Sequence, residues 1–359
     1  MADIHIVPYV DLAHLVANIF ISYGLPEPDA RRVAECLLEA DLRGVASHGV
    51  NRVPIYTRRL REKLVNPMPA LIVQEATAIA ARVDGDNGMG FVVGTKAMRE
   101  AIARADIYGV GLVLAAHSNH FGMAANYLLQ AVESGLAAVV LTNASPAMPV
   151  WGGRTAFLGT SPFALAVPGG RVPLLLDMAT SVVARGKIRR AAQRCEPIPE
   201  GWALDDRGVP TIDAEAAYRG IVLPLGGPKG SGLSLMIEAL AGVISGAAFG
   251  GEVGNQYSDF QKPQNVGHLF LAFRPDLFML REEYATRIDM LVDRAKACPL
   301  ANGFKEIMMP GESEARLAEE QRRNGMKLQP ADIEMLAKES ATANVAPLWP
   351  ANPMQRASF

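Results

Sequence analysis

Residues 85–122, "GDNGMGFVVGTKAMREAIARADIYGVGLVLAAHSNHFG", place a glycine-rich loop, an amphipathic helix and a buried strand in succession. The loop "GMGFVVG" (88–94) resembles the glycine spacing of a dinucleotide-binding fingerprint. In that fingerprint an acidic residue at the end of the following strand binds the ribose. The strand "VGLVLAA" ends in His117 and Ser118 instead. The stretch therefore predicts α/β structure and disfavours a Rossmann fold.

The segments on both sides continue the alternation of strands and helices. Two strand-like runs lie within 71–85, and "AANYLLQAVESG" and "LAAVVLTNAS" predict a further helix and strand. Short apolar runs separated by Pro and Gly at 146–178 predict short strands and turns. This alternation is typical of the α/β class. Helical patterns cover 8–45, 182–193, 229–248 and 275–343, and residues 345–359 predict an extended arm.

The composition is that of an ordinary soluble globular protein, with half of the 359 residues hydrophobic and a net charge of −2. The length suffices for two domains, or for one domain with a large insertion. Without a basic excess or a polybasic run, we expect neither a nucleic-acid partner nor an anionic membrane. Three distant cysteines and an N-terminus unlike a signal peptide favour the cytoplasm.

Two further stretches have competing interpretations. The apolar run 230–250 approaches the length of a membrane span, but Glu238 at its middle favours a buried, tightly packed helix. Lys229, in "GGPKGSGLS", stands between glycines without the Gly-Lys-Ser/Thr order of a phosphate loop. It could contact a phosphate or a ribose hydroxyl at a helix start, or be a solvated surface lysine.

The "HSNH" segment raises the question of a metal site. His117 and His120 would need at least a third ligand, and His48 is a candidate that nothing in the spacing supports. A metal-dependent hydrolase or lyase is therefore the weaker interpretation, and we expect no metal.

The segment "ASHGVNRVPIYTRRL" (46–60) predicts a corner between two helices, with Asn51 capping the second helix and Pro54 in its first turn. His48 in this corner has a side chain whose pKa suits proton transfer near neutrality. Arg52 offers the planar fork that holds a carboxylate. Ser47 could orient the imidazole; alternatively, Ser47 caps a helix and His48 merely packs.

Five motifs in the chain together resemble one known family. They are "SHGVNRVPIYTRRL", "SNHFGMAANYLLQAVESGLAAVVLTNASP", "WGGRTAFLGTSPFALAVP", "LLLDMATSVVARGKI" and "PLGGPKGSGLSLMIEALAGVISGA". In this order they closely resemble the malate/L-lactate dehydrogenase family that lacks a Rossmann fold. The family that the chain resembles also includes ureidoglycolate and sulfolactate dehydrogenases, diketogulonate reductase and cyclic-imine carboxylate reductases. It covers residues from about 5 to 325 and indicates the family rather than the substrate.

The resemblance implies an α/β (α+β) fold with a mixed, non-Rossmann sheet that binds NAD(P). It implies a cofactor-binding domain at 76–275. It also implies a mainly helical second domain formed by 1–75 plus 276–359, and a homodimer whose active sites are lined by both subunits. The implied reaction moves a hydride between NAD(P) and a small 2-hydroxy or 2-oxo acid.

Residue roles also follow from the resemblance. His48 matches the acid/base residue and Ser47 its hydrogen-bond partner, while His120 has the proton-transfer role in some members. Substrate contacts are implied at Arg52, Thr160, Arg185 and Gly186. Cofactor contacts are implied at His120, Phe121, Gly122 and Met123, at Ser145, at Asp177, Met178 and Ala179, at Lys229, and at Met309, Pro310, Gly311 and Glu312.

One position departs from the imine-reducing relatives, in which an aspartate completes a relay with the serine and histidine. Lys187, in "ARGKI", stands at that position and cannot accept the histidine N–H. A 2-oxo acid is therefore favoured over a cyclic imino acid such as pyrroline- or piperideine-2-carboxylate. A non-catalytic nucleotide-binding protein is the other alternative. NAD is favoured over NADP, because no arginine cluster beside a cofactor motif indicates a 2′-phosphate pocket.

Overall fold

A computed structural model describes residues 5–349 of the chain. The helices are α1 (Tyr9–Ser22), α2 (Glu27–Leu42), α3 (Val53–Arg61), α4 (Gly90–Tyr108), α5 (Ala125–Glu133), α6 (Arg185–Gln193), α7 (Ala214–Arg219), α8 (Pro228–Ile237), α9 (Arg281–Lys296), α10 (Glu312–Asn324) and α11 (Pro330–Thr342). The strands are β1 (His5–Val7), β2 (Ile72–Thr77), β3 (Ala80–Asp84), β4 (Val110–Ser118), β5 (Ala137–Thr142), β6 (Phe163–Val167), β7 (Leu174–Met178), β8 (Ala203–Leu204), β9 (Pro210–Thr211), β10 (Ile221–Val222), β11 (Val266–Phe273) and β12 (Met326–Leu328). Of the arm expected at 345–359, residues 350–359 lie outside the described part.

A seven-stranded mixed sheet, in the order β2-β3-β4-β11-β5-β6-β7, forms the centre of the fold. Only β3 and β4 run parallel; the other neighbours are antiparallel. A Rossmann sheet is mostly parallel, so the mixed, non-Rossmann sheet expected from the sequence is confirmed. The sequence interpretation missed β11, which arrives from far along the chain and lies between β4 and β5.

The glycine-rich loop before α4 serves close packing. A Cβ at Gly90 would lie 2.1 Å from the carbonyl oxygen of Asn119, so only glycine fits where α4 begins against the His120 loop. Apolar side chains on one face of α4, such as Val93, Ala97 and Ala101, are fully buried. They pack in the core formed around the sheet.

The two ends of the chain build the helical part together. β1 pairs antiparallel with β12, and α1 and α2 share one apolar core with residues of α10 and α11. The Gln321 side-chain amide donates to the carbonyl oxygens of Asp41 and Leu42, which fastens α10 to the end of α2. A smaller unit consists of the three-stranded sheet β10-β8-β9 with α6 and α7.

The corner at residues 46–60 differs in detail from the expectation. Two short 3-10 turns, Ala46–His48 and Val50–Arg52, precede α3, and Arg52 rather than Asn51 occupies the capping position. The buried carboxylate of Asp41 accepts the backbone N–H of Val50 at 2.8 Å, and burial raises the pKa of Asp41 to about 7. Instead of capping α3, the Asn51 side-chain amide donates to the Ala46 carbonyl oxygen. The Asp41 contact fixes the turn that follows His48.

The apolar run 230–250 is α8 followed by a π-helical turn, Glu238–Val243. Glu238 is buried and accepts the backbone N–H of Gly250 at 2.9 Å, as expected, but the run is only partly buried, because Met236, Val243 and Ile244 are exposed. Among residues 5–349, no helix is both long and apolar enough to cross a bilayer.

Candidate active site

A cavity of about 1180 Å³ opens between the 46–52 corner and the ends of the sheet strands. Small-molecule pockets typically measure about 300–1,000 Å³, so this cavity is large enough for a cofactor and a small substrate together. Among the residues expected at the site, the cavity wall includes Ser47, His48, Arg52, His120, Phe121, Gly122, Met123, Ser145, Thr160, Asp177, Ala179, Arg185, Gly186, Met309, Pro310 and Gly311.

The helical wall of the cavity presents one imidazole and one guanidinium. Ser47 Oγ lies 3.0 Å from His48 Nδ1, as the sequence suggested for an orienting serine. Arg52 donates through Nε to the Ser47 carbonyl oxygen and through Nη1 to the hydroxyl of Tyr257. The remaining Nη donors of Arg52 are free to meet an anion in the cavity.

The sheet wall presents His120, which is held on several sides. The Tyr56 hydroxyl lies 2.7 Å from His120 Nδ1, and the backbone N–H of Gly122 donates to the same nitrogen at 3.2 Å. The backbone N–H of His120 donates to Gln264 Oε1 at 3.2 Å. The side chain and the main chain of His120 are therefore both fixed.

The two imidazoles face each other across the cavity end. Their ring centroids are 5.5 Å apart and their planes differ by 13°. Burial, followed by the nearby Arg52 charge, lowers the pKa of His48 to about 3. Burial, then Arg52, His48 and His268, lowers the pKa of His120 well below its ordinary value. Both rings are neutral before a ligand binds.

The partners of each ring determine which nitrogen has the proton. Because a backbone N–H can only donate, Gly122 requires a lone pair on His120 Nδ1, so the neutral ring has its proton on Nε2. Ser47, by contrast, has a hydroxyl that can donate or accept, so His48 can take either tautomer. His120 is thus a fixed hydrogen-bond donor, whereas His48 can present a lone pair.

The opposite end of the cavity has an acidic side chain next to a helix start. Asp177, at the end of β7, accepts the backbone N–H of Ala125 in the first turn of α5 at 2.8 Å. Burial raises the pKa of Asp177 to about 6. The sequence test for an acid at a strand end failed at β4, whereas the edge strand β7 of the same sheet places the Asp177 carboxylate in the cavity wall.

The "MPGE" segment contributes to the wall through its backbone. The Pro310 carbonyl oxygen accepts the N–H of Leu175 at 3.0 Å, which ties the segment to β7. Glu312 lies outside the cavity wall: its carboxylate binds Lys296 at 2.7 Å and the N–H of Met309 at 2.9 Å. Lys296, followed by Met309, lowers the pKa of Glu312 to about 2. Its contacts hold the segment in shape.

Three other candidates lie away from the cavity wall. Met178 follows Asp177 but does not line the cavity, and Lys229 is exposed at the start of α8. Lys187 is exposed on α6 and also lies outside the lining. Within the described residues, Lys187 therefore makes no relay with Ser47 and His48.

The histidines of "HSNH" point to different partners. His117 Nδ1 lies 3.0 Å from Asp84 on β3, whereas His120 lines the cavity. Among the described residues, no group of three His, Cys, Asp or Glu side chains is arranged to hold a metal ion.

Sequence reasoning missed several residues at the site. Tyr56 stands four residues after Arg52, so the helical spacing of α3 contained a signal for it. Tyr257 and Gln264 come from more than 140 residues away and gave no local signal. The loop that holds Tyr257 is fixed by the buried Arg59, whose Nη1 donates to the Asp259 carbonyl oxygen at 2.9 Å.

Similarity to known proteins shows the family of this chain. Residues 7–337 match the malate/L-lactate dehydrogenase family. The chain belongs to this family. It is 41% identical over 305 residues to L-sulfolactate dehydrogenase from Methanocaldococcus jannaschii, which covers 84% of this chain and 87% of that protein.

Two solved structures show the same architecture. Malate dehydrogenase from Pyrococcus horikoshii OT3 superposes with a TM-score of 0.89 at 35% identity, covering 97% of this chain and 99% of that one. A Δ1-piperideine-2-carboxylate reductase from Pseudomonas syringae pvar. tomato superposes with a TM-score of 0.85 at 29% identity, covering 93% and 99%. The chain is an oxidoreductase of the hydroxy-acid dehydrogenase type.

Proposed function

We propose that this protein is an NAD-dependent dehydrogenase of a small 2-hydroxy acid, in which His48 transfers the proton and Arg52 binds the carboxylate. The observation that supports this most directly is the grouping of two stacked, neutral imidazoles with a guanidinium at one end of a single large cavity. A 2-hydroxy acid needs these groups together, because its hydroxyl must lose a proton while its carboxylate is held.

His48 and His120 act differently in the proton-transfer step, because their neutral rings have their protons on different nitrogens. In alcohol oxidation, the lone pair on His48 Nε2 takes the hydroxyl proton, while Nδ1–H donates to Ser47 Oγ. His120 donates its Nε2–H to the same substrate oxygen and stabilises the charge that develops there. In reduction, the protonated His48 returns the proton. The nicotinamide cofactor, when bound, accepts or supplies the hydride.

The remaining cavity wall fits a dinucleotide. Asp177 offers a carboxylate for ribose hydroxyls, and the N-terminus of α5 adds the positive end of a helix dipole beside it. Glu314 also lines the cavity. Arg43, Arg185 and Arg189 line the same cavity. NAD is the proposed cofactor, with NADP as the alternative.

The carboxylate-binding group is prepared before substrate arrives. Arg52 is held by the Ser47 carbonyl oxygen on one side and by the Tyr257 hydroxyl on the other. Because the Tyr257 oxygen accepts from Arg52, its own proton is free to point at an anion. Arg52 and Tyr257 thus offer donors from two elements to one carboxylate.

We also propose a homodimer. Large apolar side chains are exposed on α8 and the π-helical turn, among them Met236 at 58%, Val243 at 51% and Ile244 at 62%. Contiguous exposed apolar side chains of this kind mark protein interfaces. A second copy of this chain is the proposed partner, with the active site completed by both subunits.

We also propose a division into two domains and a cytoplasmic location. The shared core of the chain ends supports a mainly helical unit of 1–75 with 276–359, and the mixed sheet supports a cofactor-binding unit of 76–275. β2 spans Ile72–Thr77, so this boundary crosses that strand. The unpaired thiols of Cys36, Cys195 and Cys298 suit the reducing cytoplasm.

The test is an absorbance assay of the purified protein at about 340 nm, the nicotinamide wavelength, with NADH and with NADPH. The substrate panel contains 2-oxo acids, including 3-sulfo and dicarboxylic ones, and cyclic imino acids. We expect turnover of at least one 2-oxo acid with NADH. Turnover restricted to pyrroline- or piperideine-2-carboxylate would overturn the 2-hydroxy acid proposal and favour imine reduction.

A further inference from the structure

His268 is a polar side chain in the middle of the sheet, and the reaction proposed above does not use it. It lies on β11, the strand between β4 and β5, and its side chain is fully buried. A buried polar group costs stability unless it is hydrogen-bonded. Both ring nitrogens of His268 have partners, so the residue is an ordered part of the core.

The two partners lie at the ends of the two neighbouring strands. Nδ1 is 2.7 Å from Thr142 Oγ1, the last residue of β5, and Nε2 is 2.8 Å from Ser118 Oγ, the last residue of β4. The Thr142 hydroxyl donates at 3.0 Å to the Gly267 carbonyl oxygen, so it accepts from Nδ1–H. The Ser118 hydroxyl lies 2.8 Å from Nε2 and 3.4 Å from the Asn119 carbonyl oxygen, so the shorter contact is the one to the ring. With Ser118 donating to Nε2, a neutral imidazole satisfies both ring nitrogens.

The ring face of His268 makes a third contact. It stacks on Phe121 with centroids 4.6 Å apart and planes within 2°. Phe121 stacks in turn on Tyr127 at 4.8 Å, and the Tyr127 hydroxyl donates to the Phe121 carbonyl oxygen at 2.6 Å. Phe121 is the residue directly after His120, so this stack fixes the backbone next to the fixed donor of the site.

The residues just before His268 also bond the His120 loop and Asn143. Gln264 accepts the N–H of His120 at 3.2 Å. Gly267 donates its N–H to Asn143 Oδ1 at 2.9 Å and accepts the N–H of Asn143 at 3.2 Å. Asn143 follows Thr142 in the cavity wall and begins the segment 143–147, all of which lines the cavity, so one short segment of chain, 264–268, holds both loops.

We propose that His268 is a positioning residue that sets the spacing between the His120 loop and the 143–147 segment across the cavity. The role rests on the proposed function, because it concerns the placement of His120 opposite His48. A neutral side chain with one donor and one acceptor is needed, since it must accept from the end of β4 and donate to the end of β5. Burial lowers the pKa of His268 to about 3, which keeps the ring neutral.

The experiment compares His268→Leu with Val113→Ala in the full-length protein. Val113 is a fully buried residue on β4, and its truncation removes apolar contacts without disturbing a polar group. NADH affinity is measured by fluorescence titration, and kcat and KM are measured well below each variant's Tm. We expect His268→Leu to lower kcat by about tenfold or more, because small misplacements of catalytic groups are costly. NADH affinity should fall as well.

Val113→Ala should keep kcat and NADH affinity within about twofold of the parent while lowering Tm. Equal losses of kcat in the two variants, or a His268→Leu variant with unchanged kcat and NADH affinity, would overturn the proposal. If His268→Leu does not fold, Thr142→Val removes the acceptor of Nδ1–H and should weaken NADH binding severalfold; unchanged binding would overturn it. Because NADH binding is measured without turnover, failure of the proposed substrate class is recognised separately, by inactivity of the parent enzyme.

Discussion

The helical wall and the sheet wall of the cavity each present one histidine, and they hold it in opposite ways. His48 lies in a 3-10 turn and its ring meets a single hydroxyl, that of Ser47. His120 lies in a loop whose side chain and main chain are bound by Tyr56, Gly122 and Gln264. Two side chains of the same type, 5.5 Å apart, therefore have different freedom to exchange a proton.

The difference comes from the kind of partner. A hydroxyl can reverse the direction of its hydrogen bond, so a proton can leave or enter His48 without breaking a contact. A backbone N–H cannot reverse, so a second proton on His120 would break the contact between the Gly122 N–H and Nδ1. The comparison assigns proton transfer to the loosely held ring and charge stabilisation to the tightly held one.

Removing the loosely held imidazole should have the largest effect. We expect His48→Gln to lower kcat by roughly 10²–10⁴-fold, the usual contribution of a general acid or base. NADH affinity should stay the same, since the change lies at the substrate end of the cavity. Steady-state kinetics and fluorescence titration measure the two quantities.

The control for His48→Gln is His14→Gln, at an exposed histidine on α1. It should behave as the parent protein does. If His48→Gln retains turnover while His120→Gln abolishes it, the two rings have exchanged roles and the tautomer argument is wrong.

The second effect in size concerns the guanidinium of the helical wall. Arg52→Ala removes charged hydrogen bonds to the substrate carboxylate, each worth about 1.5–3 kcal/mol, which corresponds to a rise in KM for the acid of about 10–150-fold. The KM for NADH should not change. Initial rates with the acid varied at saturating NADH, and with NADH varied at saturating acid, give the two KM values.

Arg61→Ala serves as the matched control, because Arg61 lies at the end of the same helix and its Nη1 bonds Tyr23 at 3.1 Å. It should leave both KM values unaltered. A KM for the acid within about twofold of the parent in Arg52→Ala would remove Arg52 from the substrate site.

The two walls also differ in how much of them could be predicted from the sequence. Ser47, His48 and Arg52 lie within six residues, so their chemistry and spacing are visible locally, and the motif context adds the family. Among the partners of His120, Tyr56 follows Arg52 by one helical turn, but the contacts from the 264–268 segment were not predictable in this way. Gln264 bonds His120, and His268 stacks on the adjacent Phe121, only because β11 lies between β4 and β5, and no local pattern encodes that strand order.

The fold, like the site, was predictable where the evidence lies in one short stretch of sequence, and not where it depends on distant residues. The absence of an acid after "VGLVLAA" correctly excluded a Rossmann sheet, because that test concerns one residue at one strand end. The detailed corner was not predictable: Asp41, nine residues before Val50, binds the Val50 N–H, and Asn51 donates to the Ala46 carbonyl oxygen instead of capping α3. Long-range carboxylate contacts of this kind depend on how α2 ends relative to the turn.

A pH profile tests whether the proton acceptor is the buried, neutral His48. At pH 5 the expected difference in kcat/KM from an ordinary histidine is about thirtyfold. With a pKa of about 3, His48 in the free enzyme remains neutral at pH 5. For alcohol oxidation, which needs neutral His48, kcat/KM should therefore remain on its plateau down to about pH 5, since this parameter reports the free enzyme. A histidine with an ordinary pKa of about 6.5 would by then have lost about thirtyfold. For reduction, which needs protonated His48, kcat/KM should rise as the pH falls.

The profile should be measured with a substrate that is fully ionised over the whole range, so that only the enzyme titrates. An acid limb near pH 6.5 in the oxidation direction that persists in Asp41→Asn and Asp177→Asn, whose carboxyl groups have pKa values of about 7 and about 6 in the parent, would show that the proton acceptor is an ordinary solvated histidine. That outcome would contradict the assignment to the cavity end occupied by His48 and His120.

The smallest predicted effect tests the tightly held wall directly. Tyr56→Phe removes one neutral hydrogen bond to His120 Nδ1, about 0.5–1.5 kcal/mol, so kcat should fall about 2–12-fold. The N–H of Gly122 still occupies Nδ1 in this variant and keeps the proton on Nε2, which is why the loss is small. Tyr23→Phe, which removes a phenol hydroxyl bonded to Arg61 outside the cavity wall, is the matched control and should be neutral. A loss in Tyr56→Phe as large as that of His48→Gln would mean that the Tyr56 phenol moves the proton through His120. Proton transfer would then involve both walls of the cavity, and not His48 alone.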